Sequence, residues 1–213
     1  MQSPMYMLTL RVTGVALLLS LGACATMDRD QCVTADWGTI GFEDGVAGYA
    51  ADRIGDHREA CAEYGVTPDL AAYQDGRAAG LREYCVAANG FRLGSQGNSY
   101  GGVCPVEVED EFVAAYRAGQ ELYTLQTRLS NVVSDLDTKQ DHLRKAESDI
   151  ITRSATAISS EATAEERARA VADVKYLGER IGRFKAEIRQ LEQDRVQCER
   201  DLEDYRATLP YKP

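Results

Sequence analysis

Cysteine is the residue type with the most evident chemistry in this sequence. Of the six cysteines, Cys24 follows an apolar amino-terminal segment, and four others lie between positions 32 and 104. In an oxidising compartment, four cysteines in such a cluster favour two disulfides over free thiols. The candidates for these bonds are Cys32, Cys61, Cys85 and Cys104. Three connectivities remain open.

Zinc binding is the alternative use of these thiols. His57 and Cys61 stand one helical turn apart, a spacing that suits two ligands of one ion. The sequence has no C-x-x-C pair, however, and its only histidines are His57 and His142. We therefore expect disulfides, and neither a metal nor another cofactor. Cys198 is left over, and it is either free and buried or paired with a second molecule.

Carboxylates offer a second kind of chemistry. Glycoside hydrolysis needs two carboxyl groups about 5–10 Å apart, and four acidic residues of the first half are candidates: Asp36, Glu43, Asp44 and Asp75. Such pairs arise by chance in a chain with 34 acidic residues. We expect Asp44 and Asp75 to be structural, as partners of Arg53 or Arg77. Neither H-E-x-x-H nor a phosphate-binding G-x-x-x-x-G-K-[ST] loop is present, and we predict that the protein is not an enzyme.

The amino terminus carries a predicted signal peptide, residues 1–23. Arg11 precedes an apolar run from Val12 to Leu21, which is too short to span a bilayer but has the length of a signal-peptide core. The ending Leu21-Gly22-Ala23-Cys24 resembles the bacterial lipobox, which predicts acylation of Cys24 and attachment to the membrane by lipid. Ala25 favours the outer membrane, facing the periplasm. The alternative is an ordinary signal peptide followed by a coincidental cysteine.

The charge balance limits the partners. The chain has 24 basic and 34 acidic residues, which gives a net charge of −10. An acidic surface repels phosphate backbones, so we expect no nucleic acid partner. After the signal peptide, the sequence has no apolar stretch of the length that a membrane span needs.

Glycine divides the chain into two regions, because 14 of the 18 glycines lie between Gly38 and Gly119. An aromatic-x-x-Gly pattern occurs there three times, at Phe42–Gly45, Tyr73–Gly76 and Tyr116–Gly119. We predict three helices in this region, over about 36–64, over about 69–88, and from Val108 or Asp110 onward. A glycine-rich loop over 89–105 separates the last two.

Within the first two predicted helices, glycines recur at spacings of three and four, at Gly38, Gly41, Gly45 and Gly48 and again at Gly76 and Gly80. Residues at these spacings share one helical face. Each glycine costs about 1 kcal/mol relative to alanine in a helix, so the stripe predicts a compensating close approach of helices. The alternative is a shallow groove for a glycan or peptide, with Trp37, Tyr100 and loop 89–105 as the ligand surface.

The second region has the seven-residue repeat of a coiled coil. Leucine or isoleucine recurs every seven residues from Leu122 to Ile150, and the second apolar position of the repeat is interrupted once, by Lys139. A similar pattern runs from Val174 to Leu209. Between them, Thr163-Ala-Glu-Glu166 matches a capping box. The pattern therefore favours two antiparallel helices.

A turn near Ser160 would place Leu136 opposite Phe184 and Cys198 opposite Leu122. The alternative is one continuous helix that pairs with a second copy, which would make the protein a homo-oligomer. The sequence as a whole predicts an all-α protein. A small disulfide-stapled, glycine-rich helical domain spans 24–108, and a long antiparallel coiled-coil hairpin spans 109–213.

Several motifs within residues 24–130 resemble a bacterial lipoprotein family, the one catalogued as domain of unknown function 2799. They are Asp36-Trp37, Gly41-x-x-Asp44-Gly45-x-x-Gly48, Gly65-Val-x-Pro68, Tyr73-x-x-Gly76-Arg77-x-x-Gly80-Leu81, Tyr84-Cys85 and Tyr100-x-Gly-Val-Cys104-Pro105. The resemblance implies an envelope lipoprotein and implies no established activity.

These observations lead to two functional hypotheses beside the hydrolase considered above. In the first, a lipid-anchored cell-envelope protein has a structural or protein-interaction role, with exposed apolar residues such as Ile151 and Ile158 at the tip of the hairpin as the contact. In the second, the glycine and aromatic surface with loop 89–105 binds a glycan or peptidoglycan.

Overall fold

The computed structural model describes residues 27–210, so the predicted signal peptide and Cys24 lie outside the described residues. Seven helices and no strand occur in this range, which confirms the all-α prediction. No helix between residues 27 and 210 combines the length and apolarity that crossing a bilayer requires. In chain order the helices are α1 Arg29–Val33, α2 Trp37–Ala47, α3 Arg53–Ala62, α4 Leu70–Tyr84, α5 Ala87–Ser95, α6 Val106–Ile158 and α7 Ala164–Thr208.

The glycines bring helices together in two pairs, α2 with α4 and α5 with α6. A Cβ atom added to Gly41 would lie 2.1 Å from the carbonyl oxygen of Tyr73, and one added to Gly76 would lie 2.0 Å from that of Gly38. In the second pair, a Cβ on Gly94 would lie 2.1 Å from the carbonyl oxygen of Tyr116. The glycines therefore serve close packing of backbones, as the spacing predicts, and do not line an open groove.

The two helix pairs are copies of one unit. The first helix of each reads Gly-Phe-x-x-Gly-x-x-Gly, at Gly41–Gly48 in α2 and at Gly90–Gly97 in and after α5. Gly48 and Gly97 both end their helices in the left-handed region, at φ of +73° and +72°. We call α2 with α4 the first glycine pair and α5 with α6 the second glycine pair.

Side chains of the second helices occupy matching positions. The Arg77 guanidinium donates to the carbonyl oxygen of Tyr49 at 2.7 Å, and the Tyr116 hydroxyl donates to that of Asn98 at 3.0 Å. Tyr49 and Asn98 each follow the left-handed glycine of their unit. An arginine in one copy and a tyrosine in the other thus donate hydrogen bonds to equivalent backbone carbonyls.

This arrangement corrects two predictions. The segment predicted as one helix over 36–64 is α2 and α3, because Gly48 terminates α2 and the Tyr49 N–H donates back to the carbonyl of Asp44. The predicted loop 89–105 begins as helix α5, since its glycines face α6. The three aromatic-x-x-Gly segments are accordingly parts of two helix pairs and not three equal units.

Each pair is closed by one disulfide. Cys32 bonds to Cys61 and Cys85 bonds to Cys104. Each bond joins the segment before the first helix of a pair to the connection before its second helix, and so follows the repeat. Cys198 is free and buried.

The long helices α6 and α7 form the predicted antiparallel hairpin. At 1.5 Å per residue, their 53 and 45 residues correspond to about 80 Å and about 68 Å. The predicted capping box is present at Thr163 and Glu166. The predicted domain boundary at residue 109 falls in the first turn of α6, so the glycine-rich region and the hairpin share one uninterrupted helix.

The facing register of the hairpin differs from the predicted one. The ring of Phe184, predicted to face Leu136, lies 5.7 Å from that of His142, and Lys139 pairs with Glu187 at 2.6 Å. Leu202, and not Cys198, shares a buried cluster with Leu122. If the turn of a hairpin moves by one residue along the chain, each residue of the first helix faces a residue two positions later in the second. The capped start of α7 at Ala164 places the turn later than Ser160.

Candidate functional site

The first glycine pair encloses a cluster of polar side chains in its core. Oδ2 of Asp44 accepts a hydrogen bond from the Tyr73 hydroxyl at 2.7 Å and lies 2.8 Å from Nε2 of His57. An ionised carboxylate only accepts hydrogen bonds, so its hydrogen bond with His57 requires a proton on Nε2. The relative exposures of Asp44, His57 and Tyr73 are 7%, 5% and 1%. We call these three residues the polar cluster.

Aspartate caps define where α2 and α4, two of the helices that carry the polar cluster, begin. Asp36 caps α2 by accepting from the N–H groups of Gly38 and Thr39, and Asp69 caps α4 by accepting from that of Ala72. The hydrogen bond from the Thr39 N–H lowers the pKa of Asp36 below its usual value. Each aspartate thus marks a helix start, and the Asp36 carboxylate is engaged as the cap of α2.

The Trp37 ring lies beside the polar cluster. The Trp37 ring lies 6.4 Å from the His57 ring, which in turn lies 6.1 Å from that of Tyr73. Burial, followed by the hydrogen bond to Asp44, raises the pKa of the Tyr73 phenol well above its ordinary value. The phenol therefore remains a hydrogen-bond donor to the carboxylate at physiological pH.

The partners of Asp44 differ from the predicted ones. Arg77 binds the backbone of Tyr49, whereas Arg53 lies 3.3 Å from Asp56 and 4.7 Å from the centre of the Tyr49 ring. Neither arginine pairs with Asp44. The backbones of α2 and α4 touch at their glycines. The Asp44 carboxylate is therefore within reach of the Tyr73 phenol from α4 and the His57 imidazole from α3. Asp75, the other expected structural carboxylate, is exposed.

The second glycine pair shows that the helix contact does not require these polar groups. By the repeat, Leu93 takes the position of Asp44 and Phe112 that of Tyr73, and both pack in an apolar cluster. The polar cluster is therefore an addition in the first pair, where it joins α2 and α4 to α3. Since all three residues are buried, the chemistry of the polar cluster is to position these helices through hydrogen bonds.

Other candidate chemistry lacks the required geometry. Cys61 is bonded to Cys32, so it provides no thiolate beside His57. Within residues 27–210, no three His, Cys, Asp or Glu side chains are grouped as a metal site would need. Residues Gly97–Gly101 spell G-x-S-x-G, a pattern that in hydrolases places the serine at a strand-to-helix turn. Ser99 lies instead in irregular chain after α5.

A groove of about 550 Å³ lies beside the Cys85–Cys104 disulfide. Its walls include the aliphatic side chains of Leu81, Val86 and Val108, and its charged residues are Arg82, Glu107 and Glu111. The volume is typical of a small-molecule site. The lining has no histidine, hydroxyl or free thiol, so the groove offers a contact surface without such a nucleophile.

Residues 36–121 match a family model described as a protein of unknown function (DUF2799). We call residues 36–121 the DUF2799 domain, after the family model that they match. The match confirms the resemblance seen in the sequence motifs. No curated protein and no solved structure matches the chain.

The limits of the DUF2799 domain coincide with the repeat. The domain begins at Asp36, the cap of α2, and ends two residues after Gly119. It therefore contains the glycine contacts of both pairs and ends within α6. The polar cluster and the Cys85–Cys104 disulfide lie inside the domain, whereas Cys32 lies just before it.

The two aromatic residues predicted as a ligand surface occupy different parts of the DUF2799 domain. Trp37 is buried with the Cys32–Cys61 disulfide. Tyr100 is partly buried against Phe112, and its hydroxyl accepts from the Cys104 N–H at 2.9 Å. Each ring has a packing role, and the two belong to separate clusters. Glycan binding through them stays a prediction.

Proposed function

We propose that the protein is a lipid-anchored cell-envelope protein whose hairpin carries a protein-interaction site at its tip. The observation that supports this most directly is the exposure of large apolar side chains around the turn. Ile151, Ile158 and Val171 are 70%, 86% and 60% exposed. They lie on both sides of the turn between α6 and α7, and exposed apolar patches are typical of contact surfaces. We call these three residues the tip.

The shape of the hairpin suits this role. The DUF2799 match ends at residue 121 and α6 continues to Ile158, which corresponds to about 55 Å of helix at 1.5 Å per residue. Ion pairs cross between the two helices along this length, among them Lys139 with Glu187 and Arg153 with Asp173. The hairpin thus places the tip at a distance from the DUF2799 domain.

We expect Ile158→Asp together with Ile151→Asp to abolish crosslinks from the tip to its partner in intact cells. A charge at these positions removes apolar contact area, while substitution at exposed sites changes stability by only about 0.5 kcal/mol. The measurement is photo-crosslinking from position 171, with crosslinked proteins identified by mass spectrometry. The matched control is Val196→Asp, which alters an exposed apolar residue near the other end of α7. If the tip variants leave every crosslink and envelope integrity unchanged, the tip is not the contact.

The lipid anchor has its own test. Cys24→Ser should eliminate incorporation of labelled palmitate and move the protein from the membrane fraction to the soluble periplasmic fraction, since no acyl chain then holds it to the bilayer. Cys198→Ser is the control, because this thiol is buried and should leave labelling unchanged. Persistent labelling of Cys24→Ser would show that the acyl group is elsewhere.

A further inference from the structure

One face of the second glycine pair is covered by the end of α7. Phe91, Ala115, Leu122 and Leu202 form one buried cluster, and Tyr205 and Leu209 pack against it. The Tyr205 hydroxyl donates to the carbonyl oxygen of Ala118 at 2.9 Å. Apolar side chains at positions i, i+3 and i+7 of α7 thus cover this face.

Within residues 27–210, no helix covers the matching face of the first glycine pair in this way. The repeat gives Phe42 as the counterpart of Phe91, and Gly76 and Ala79 as those of Ala115 and Ala118. Among the described helices, α2 is the one that packs extensively on α4. As a result Phe42 is partly exposed where Phe91 is buried, and Val46, one turn after Phe42, is exposed.

The charge on this face differs from that on its counterpart. Glu83 takes the position of Leu122, and it is exposed whereas Leu122 is fully buried. Glu43 and Asp75 are further exposed carboxylates on the same two helices. A helix like the end of α7 would bury the Glu83 carboxylate without a partner, which is costly. A helix with a lysine or arginine at that point would pair with it.

We propose that this face, formed by Phe42, Val46, Gly76, Ala79 and Glu83, docks an amphipathic helix of a partner protein. The partner helix carries apolar side chains at the spacing of Leu202, Tyr205 and Leu209 and a basic side chain that pairs with Glu83. In this binding mode an amphipathic helix packs on an apolar face. The end of α7 packs on the second glycine pair in the same way. The surface is separate from the tip of the hairpin, and its occupancy does not depend on the tip.

The test uses the full-length protein in cells with a photo-crosslinking residue in place of Phe42. The reference position is Val33, which is exposed on α1. We expect a crosslink from position 42 to one protein, with the crosslinked peptide in an amphipathic helix that contains lysine or arginine. Adding Glu83→Lys should lower the yield about tenfold, the change in an equilibrium constant that corresponds to about 1.4 kcal/mol, because like charges then face each other.

Two further variants make the result specific. Glu59→Lys changes an exposed carboxylate on α3 and should leave the yield unchanged. Glu83→Gln removes the charge without reversing it and should give an intermediate yield; since Glu83 is exposed, both Glu83 variants should melt like the parent. A yield at position 42 no higher than at position 33 would overturn the proposal. So would a crosslink to a second copy of this chain or to lipid, or insensitivity to Glu83→Lys.

Discussion

Gly80→Ala should lower the free energy of unfolding of the DUF2799 domain by about 3 kcal/mol, the upper part of the usual range for overpacking a core. The added Cβ would lie 2.1 Å from the carbonyl oxygen of Phe42 and 2.7 Å from the amide nitrogen of Val46. Both contacts are with backbone, which no rotamer change can move away. The helices α2 and α4 must therefore separate along their whole contact.

Urea denaturation measures this effect, with the fluorescence of Trp37 as the probe. Trp37 is the one tryptophan in the chain and is buried in the core beside α4. Gly182→Ala is the matched control, because Gly182 lies within α7 and has nothing within 4 Å of an added Cβ. It should leave the Trp37 transition in place and raise hairpin stability, followed by circular dichroism, by up to about 1 kcal/mol. Equal effects of the two substitutions would disprove the close approach at Gly80.

Asp44→Ala should also cost about 3 kcal/mol, because it removes the acceptor of the buried Tyr73 hydroxyl and the buried contact with His57 Nε2, and leaving a buried polar group unsatisfied costs about 1–3 kcal/mol. The same fluorescence transition measures it. A loss of this size would show that the Asp44 carboxylate stabilises the fold, since substitution of an unpaired surface aspartate changes stability little.

A triple variant tests whether the polar cluster is needed for folding at all. Asp44→Leu with His57→Leu and Tyr73→Phe gives the first glycine pair the leucine and phenylalanine of the second pair, at Leu93 and Phe112. Replacing a buried polar group together with its partners is often close to neutral, so we expect this variant to unfold within about 1 kcal/mol of the parent. If it is as unstable as Asp44→Ala, the first pair requires the polar cluster for its fold.

Several features follow from local sequence alone. The capping box at Thr163 and Glu166, the glycine spacings at Gly41–Gly48 and Gly76–Gly80, and the heptads from Leu122 onward each involve residues within one helix. A helix start, a bare helical face and an apolar stripe are properties of the segment itself. They were enough to predict the all-α class, the close packing of glycines and the hairpin.

Other features depend on which segments meet in space. Glycine has no side chain to indicate its partner, so the spacing in α5 could not be distinguished from a loop until α6 lay against it. The exposed apolar side chains at Ile151 and Ile158 were predicted from the heptads, but the facing register, set by the start of α7 at Ala164, was not. The resulting error was six residues at Phe184.

The sequence by itself determined the all-α class, the heptads of the hairpin, the cysteine set and the motifs of the DUF2799 domain. Only the tertiary structure decided that Cys32 bonds to Cys61 and Cys85 to Cys104, and that Asp44 binds His57 and Tyr73 and neither arginine. Composition and periodicity describe each helix separately, whereas a disulfide or a buried hydrogen bond depends on the distance between two helices. For the Asp44–Tyr73 hydrogen bond, the glycines set that distance by letting the backbones of α2 and α4 touch.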